Sequence, residues 1–317
     1  MDTLECIESL HRINYHNYHI IIVDNGSRNS SVSKILEAIR EKAQIALFSK
    51  QEIEEGRYDQ EIIHKLQAAK SIILIRMDKN YGFAEGNNIA IRFALRIFRP
   101  KYILLLNNDV VVDENFLTEL VKHMESDRKI GITGPKIYYY NFYGRRDIIN
   151  FAGEDLIVWK GQGIRYGFNE IDKGQHDLIR NVDKIDGACM LIRSDVFRAI
   201  GLLDPDYFAY WEEVDFCYRA SKKGYRIVYV PTGKVWHKVA SSLGGTLSPI
   251  RVAYLTRNMI LFVRKNAELY EKIKFMFYFF FFKIWIDSIT YLIHNRKAFI
   301  YFIKGVKDGL TWRPYHH

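Results

Sequence analysis

The chain has 317 residues, 48% of them hydrophobic and 26% charged, with a formal charge of +9. That length and apolar content exclude a disordered chain and allow one large core, or one core with an appendage. The charge is unevenly spread: from Arg264 onward ten Lys and Arg face four Asp and Glu, so this tail holds six of the nine excess positive charges, and it also contains the block Phe279-Phe280-Phe281-Phe282. A basic segment rich in phenylalanine suits an anionic membrane surface, and no nucleic-acid partner is expected.

The chain opens with an acidic, helix-like stretch from Asp2 to Leu10 rather than a basic and then apolar one, so a cytoplasmic location is expected. Cys6, Cys189 and Cys217 are odd in number and widely separated, the pattern of small buried residues in a reducing compartment. Ile20 to Val23 reads as a strand that stops at Asp24-Asn25-Gly26-Ser27. Such a sequence is either a standard turn or a ligand-binding strand end. Residues 31–71, including Gln51-Glu-Ile-Glu-Glu-Gly56, are charged and read as a helical surface insertion.

Ile72 to Ile75 is a second buried strand, Gly86 to Phe98 an amphipathic helix, and Tyr102 to Leu106 a third strand that stops at Asn107-Asn108-Asp109. Oxygen donors at the end of a buried strand are a usual means of holding a divalent cation against a phosphate. A helix follows from Glu114 to Met124. This βαβ rhythm predicts a mostly parallel sheet flanked by helices, with ligands collected at the carboxyl ends of its strands.

Residues 138–183 are rich in Gly, Tyr and Asp without clear period and read as loops and short strands, a lid or acceptor rim. Val182 to Ile192 reads as a strand broken at Asp186-Gly187-Ala188, where small residues permit close approach of either a ligand or a second backbone. Ser194 to Gly201 is a short helix, and Arg226 to Val230 a strand stopped by Pro231. Glu212 and Glu213 precede a helical pattern that ends at Gly224, so they fall in its first turn, where the helix dipole favours a carboxylate able to accept a proton. Acids there are also ordinary helix stabilisers. The adjoining Tyr207-Phe208-Ala209-Tyr210-Trp211 is either core or a surface for sugar rings. His237 follows the strand-like Gly233 to Trp236 and precedes the donor-rich Ser241-Ser242-Leu243-Gly244-Gly245; its imidazole can complete a cation site begun by Asp109.

Taken in order, Ile22-Val-Asp-Asn-Gly-Ser27, Asn80-Tyr-Gly-Phe-Ala-Glu-Gly-Asn-Asn88, Leu104-Leu-Leu-Asn-Asn-Asp109, Gly187-Ala-Cys-Met-Leu-Ile192, Tyr210-Trp-Glu-Glu-Val-Asp215 and Val235-Trp-His237 resemble the family 2 glycosyltransferases, most closely the rhamnosyltransferase-like branch. The resemblance implies a GT-A fold and an inverting, hexosyl-type transfer from a nucleotide-diphosphate sugar to a hydroxyl of a glycan or lipid-linked glycan, as in cell-envelope polysaccharide synthesis. It implies that Asp24 contacts the nucleotide base with Asn25 beside it, that Asn80 and Gly82 line the nucleotide pocket, and that Asn107-Asn108-Asp109 occupies the metal-binding Asp-x-Asp position, an amide standing in for the first carboxylate. Asp109 and His237 would hold Mg²⁺ or Mn²⁺. Glu213 takes the general-base position, with Glu212 as second candidate, and Gly187, Ala188, Trp211 and Asp215 fall on the substrate side.

One departure from the family pattern stands out: relatives begin with a hydrophobic strand, and this chain begins at the helix that should follow it. Loss of a central strand bares apolar surface at roughly 25 cal/mol per Å². The alternative function is therefore a weakened or non-catalytic nucleotide-sugar-binding scaffold. The expected organisation is a glycosyltransferase domain over 1–263 and membrane-associating helices over 264–317. Phe275 to Ile293 is about long enough to cross a bilayer, yet Lys283 and Asp287 lie inside it, which favours helices in the interface.

Overall fold

A computed structural model describes residues 2–40, 44–68, 71–239 and 247–312; the segment Ser241 to Gly245 lies outside them. The first layer is built from α1 (Asp2–His11), β1 (Ile20–Asp24), α2 (Ser31–Ile39), β2 (Gln44–Ser49), α3 (Lys50–Glu55), α4 (Gln60–Ala68) and β3 (Ser71–Arg76). Its strands form a parallel sheet in the order β1-β3-β2, with Ile20 opposite Ile72 and Gln44 opposite Ser71. β3 is buried along almost its whole length, as a central strand should be. The expected helical insertion over 31–71 does contain α2, α3 and α4, but β2 lies between them. Only Ala46 and Phe48 of its six residues turn inward, so helical charge on both sides conceals the strand.

The chain continues through α5 (Gly82–Ile97), β4 (Tyr102–Leu106), β5 (Val110–Val112), α6 (Phe116–Ser126), β6 (Ile130–Tyr139), β7 (Ile148–Phe151), β8 (Glu154–Ile157), β9 (Gln162–Arg165), β10 (Glu170–Ile171), β11 (Arg180–Asn181), β12 (Cys189–Arg193), α7 (Ser194–Ile200), α8 (Glu212–Lys222) and β13 (Arg226–His237). A second sheet follows the path β10-β7-β6-β12-β4, and β13 joins β6, β5 and β11 to it. Only the β13–β6 pairing in this sheet is parallel, so parallel strands are concentrated in the first sheet. Phe116, Leu120 and Met124 of α6 share one core with Ile132, Leu191, Val228 and Val235 of the second sheet.

Two expected strand limits are corrected. Val182 to Ile192 is a strand only from Cys189, because the Asp186 carboxylate accepts the Ala188 amide at 3.0 Å and closes a turn there. β13 runs through Pro231 to His237 instead of stopping at it. Pro231 lies where the pairing with β6 slips between Val230 and Lys234, a place where no ladder amide is required.

Among the described residues no strand pairs with the outer edge of β1 or of β4, and both edges border one cleft of about 2250 Å³. The carboxyl ends of both strands open into this cleft, so the break in the sheet and the candidate site coincide.

The remaining helices are α9 (Pro249–Asn266), α10 (Leu269–Tyr278), α11 (Ile284–His294) and α12 (Arg296–Thr311). The expected boundary at residues 263 and 264 falls inside α9, and Phe275 and Phe302 share a core with Tyr207, Val214 and Leu261. The appendage is therefore joined to the domain by common packing. Gly305 permits the close crossing of α9 and α12: a Cβ there would lie 2.6 Å from the Ala253 carbonyl oxygen. α10, a π-helical stretch at Phe279–Lys283 and α11 form one long helix, Leu269–His294, most of whose apolar side chains are exposed, while Phe275 and Phe279 pack into the shared core.

Candidate active site

Beyond the carboxyl end of β1, the cleft is lined by a network of amides. Asn25, just past β1, donates through Nδ2 to the Gly82 carbonyl at 2.9 Å and to Asn80 Oδ1 at 3.1 Å, while its Oδ1 accepts the Tyr81 amide at 2.9 Å. Asn80 Oδ1 also accepts the Gly82 amide at 2.8 Å. Gly82 has φ +82, and a Cβ on it would lie 2.4 Å from the Phe208 carbonyl oxygen, so this position admits glycine alone without a shift. These contacts start α5 at Gly82, four residues earlier than the sequence pattern suggests. Asp24 is buried at the end of β1; Oδ1 accepts the Ser27 amide at 3.1 Å, and Oδ2 has no protein partner.

Beyond β4, the Asn107 amide donates to the Ala188 carbonyl at 2.9 Å, which binds the strand end to β12. The Asn108 side chain donates to Thr3 Oγ1 at 2.9 Å and is thereby engaged with α1. Asp109 Oδ1 lies 3.1 Å from His237 Nε2, and both side chains are largely buried. The pairing of β5 with β13 sets this contact, because it places His237 opposite Val110. Among the described residues no cluster of three or more metal-ligating side chains occurs. One carboxylate and one imidazole still fit a Mg²⁺ or Mn²⁺ site of the kind that substrate phosphates complete.

Across the cleft, Tyr207 to Trp211 form a tight turn with Phe208, Tyr210 and Trp211 all at positive φ. The Asn258 amide holds it by donating to the carbonyls of Tyr207, Ala209 and Tyr210, each at 2.8 Å. The aromatics divide between the two readings. Tyr207 is fully buried, whereas Phe208, Tyr210 and Trp211 line the cleft, with Trp211 resting against Phe262 at 5.2 Å. Trp211 caps α8 and delivers Glu212 and Glu213 to its first turn.

The two glutamates have opposite surroundings. Glu212 is buried with no partner on Oε2, and burial, reinforced by the neighbouring Glu213, raises its pKa well above the carboxylate range. Glu213 Oε1 pairs with Lys184 Nζ at 3.1 Å, and its Oε2 has no partner among the described residues. Burial pulls the Lys184 pKa down, but Glu213 and Glu154 outweigh it and the net shift is upward. Gly187 lies beside Glu213, where an added Cβ would sit 3.6 Å from Glu213 Cβ, and Ala188 lines the same wall.

Asp215, expected on the substrate side, turns into the core. Its carboxylate takes Arg219 at 2.6 Å, Asn266 at 2.8 Å and Tyr207 Oη at 3.2 Å, so it ties α8 to α9 instead of facing a sugar. The reading of sequence missed Lys184, Glu154 and Arg165. Arg165 pairs with Asp186 at 3.2 Å, and Glu154 with Lys184 at 3.2 Å. These are contacts between distant segments, and no local spacing marks them.

Residues 3–249 match the family described as glycosyltransferase like family 2. The hexosyltransferase Agl10 of low-salt glycan biosynthesis in Haloferax volcanii is 30% identical over 152 residues, covering 47% of this chain and 46% of that protein. The rhamnosyltransferase WbbL of Escherichia coli K12 is 30% identical over 166 residues, covering 50% and 61%. The alignments thus span about half the length of these curated relatives. Among solved structures, a mannosyltransferase from Pyrobaculum calidifontis in complex with GDP-Man and Mn²⁺ superposes with a TM-score of 0.57 at 11% identity, over 99% of this chain and 84% of that one. Staphylococcus aureus TarS 1-349 superposes at 0.54 and 13% identity, over 98% and 77%. The chain belongs to the glycosyltransferase-like family 2 and carries the GT-A fold.

Proposed function

We propose that this protein is an inverting glycosyltransferase that moves a hexosyl group from a nucleotide-diphosphate sugar to a hydroxyl of a glycan or lipid-linked glycan. The observation that carries the reading is the convergence of Asp24, the Asp109–His237 pair and Glu213 on one cleft, from two strand ends, the last strand and a helix N-terminus. Asp24, with its unpartnered Oδ2, accepts a hydrogen bond from the nucleotide base, and the Asn25–Asn80–Gly82 network shapes the pocket around it. Asp109 and His237 would hold the divalent cation, which when bound neutralises charge on the departing diphosphate. Glu213 Oε2 takes the acceptor proton as the hydroxyl oxygen attacks the anomeric carbon, while Oε1 stays on Lys184. Phe208, Tyr210 and Trp211 present ring faces to the sugars.

A screen of UDP-, GDP- and dTDP-sugars for nucleotide-diphosphate release tests the reading, with Asp109→Ala and Glu213→Gln as controls. Loss of metal-dependent release in the first and retained donor binding without turnover in the second are expected. Undiminished metal dependence in Asp109→Ala would remove the cation assignment. The open edges of β1 and β4 beside Asp24 favour a second reading, a nucleotide-sugar-binding scaffold. Calorimetric binding without release on any acceptor would support that reading.

The long helix Leu269–His294 supports placement at the inner face of a cell membrane. Phe277, Phe281, Trp285, Ile289 and Ile293 are exposed at four-residue intervals, and Lys274, Arg296, Lys297, Lys304 and Lys307 are exposed nearby. Lys283 and Asp287 pair at 3.0 Å, which lowers the cost of their apolar setting. The helix lies along an anionic interface, where its apolar stripe enters the acyl boundary and the lysines meet headgroups. Release of the protein from membranes by carbonate is the expected result; resistance to carbonate would indicate a spanning helix.

A further inference from the structure

We propose that Lys184 is a positioning residue that holds the Glu213 carboxylate in its proton-accepting geometry, with Glu154 as the anchor for the lysine. The inference rests on the reading of Glu213 as the acceptor of the substrate proton. Lys184 is buried, and its Nζ bridges Glu213 Oε1 at 3.1 Å and Glu154 Oε2 at 3.2 Å. Its backbone is equally constrained: the Glu154 carbonyl accepts the amides of both Asp183 and Lys184, at 3.1 and 3.0 Å. The Asp183 carboxylate in turn accepts the Leu156 amide at 2.8 Å. The ammonium is therefore fixed to the β8–β9 hairpin and reaches across to the first turn of α8.

The bridge assigns different tasks to the two oxygens of Glu213. Oε1 is occupied by the lysine, whereas Oε2 is buried and has no partner among the described residues, which leaves it for the substrate hydroxyl. Free rotation of the carboxylate would lose the lysine contact, so the ion pair restrains the rotamer as well as supplying charge.

Other charged groups face the bridge from every side. Glu212 lies beside Glu213 on α8, and Asp186, paired with Arg165 at 3.2 Å, lies in the turn before β12. His237 faces Asp186 from β13. Arg165 is engaged by Asp186 and by Asn150 Oδ1 at 2.7 Å, so Lys184 is the cation that contacts Glu213. Burial disfavours an uncompensated carboxylate, the direction in which it moves the Glu212 pKa upward. Lys184 thus gives Glu213 a cationic partner, whereas Glu212 Oε2 has no partner among the described residues.

The test uses the full chain and the variants Lys184→Met, Lys184→Arg, Glu154→Gln and Glu213→Gln. Carboxyl ¹³C NMR with labelled glutamate follows the Glu213 resonance, assigned by its disappearance in Glu213→Gln, and needs no sugar donor. The resonance should titrate at higher pH in Lys184→Met, return toward wild type in Lys184→Arg, and titrate at lower pH in Glu154→Gln, where the lysine serves one carboxylate. With whichever UDP-, GDP- or dTDP-sugar turns over, Lys184→Met should lower kcat by about 10- to 100-fold while leaving donor KM near wild type. Its acidic limb in the pH–rate profile should move upward. Opposite movements in Lys184→Met and Glu154→Gln cannot come from a merely structural lysine. An unmoved resonance in both, or identical losses in Lys184→Met and Lys184→Arg, would overturn the proposal. Full turnover by Glu213→Gln would remove the base reading itself, and the NMR result would then stand apart from it. If Lys184→Met fails to fold, Glu154→Gln alone decides, because the proposal requires its downward movement.

Discussion

At the scale of single residues, the neighbouring acids Glu212 and Glu213 show how burial and one partner separate two identical side chains. Burial raises the Glu212 pKa, and Lys184 pairs with Glu213 instead, so Glu212→Gln should keep kcat within about threefold of wild type, whereas Glu213→Gln should lose about 100- to 10,000-fold. Comparable losses in both would contradict the division of roles. Glu212 also makes a prediction about stability. Its folded-state pKa is raised, so the folded protein keeps a proton that the unfolded chain releases in the ordinary carboxylate range. The contribution is complete below that range and is lost as pH rises toward the folded-state value. Melting temperature measured against pH should therefore fall more steeply for wild type than for Glu212→Gln in this window, and parallel curves would refute it.

At the scale of elements, the turn from Tyr207 to Trp211 places the acids, and its backbone is held from outside. Asn258→Ala leaves three carbonyls without their amide and should cost about 2 kcal/mol or more. Circular dichroism melts would show it, and an unchanged melt would mean that the turn holds itself. Gly82→Ala should lower nucleotide affinity through the clash with Phe208, which calorimetry would register. Elements whose signal is local were legible in sequence: β4 ending at Asn107, α7 ending before Gly201, and α8 opening on the two glutamates. Elements fixed by their neighbours were not. β2 is an edge strand supported by β3, and β13 passes Pro231 because β6 slips beside it. The same division holds for the site. Asp24, Asp109, Glu213 and His237 stand at element ends where sequence can locate them, while Lys184 meets Glu213 and Glu154 only through tertiary packing. Asp215 shares the motif of Glu213, but two residues along the helix turn it to the opposite face and into Arg219.

At the scale of the whole molecule, two layers of sheet meet at an open cleft, and helices α9 to α12 extend the same body through a shared core. The exposed stripe on the long helix supplies little to folding, so Phe281→Ser with Trp285→Ser should leave the melting temperature within a few degrees of wild type while reducing flotation with phosphatidylglycerol vesicles. Equal flotation of wild type and variant would contradict the membrane placement. Binding should also weaken with added salt, since lysines and arginines at the surface contribute through screened charge.

The claim that unites these scales is that the cleft transfers a sugar, with Glu213 taking the proton on the opposite side from the diphosphate held near Asp109. Single-turnover release of nucleotide diphosphate by wild type and Glu213→Gln, at a donor concentration that calorimetry shows to saturate both, tests it most directly. The account predicts release by wild type in the presence of Mg²⁺ or Mn²⁺ and acceptor, and near absence of release by Glu213→Gln at equal donor occupancy. Equal release by the two proteins would contradict it.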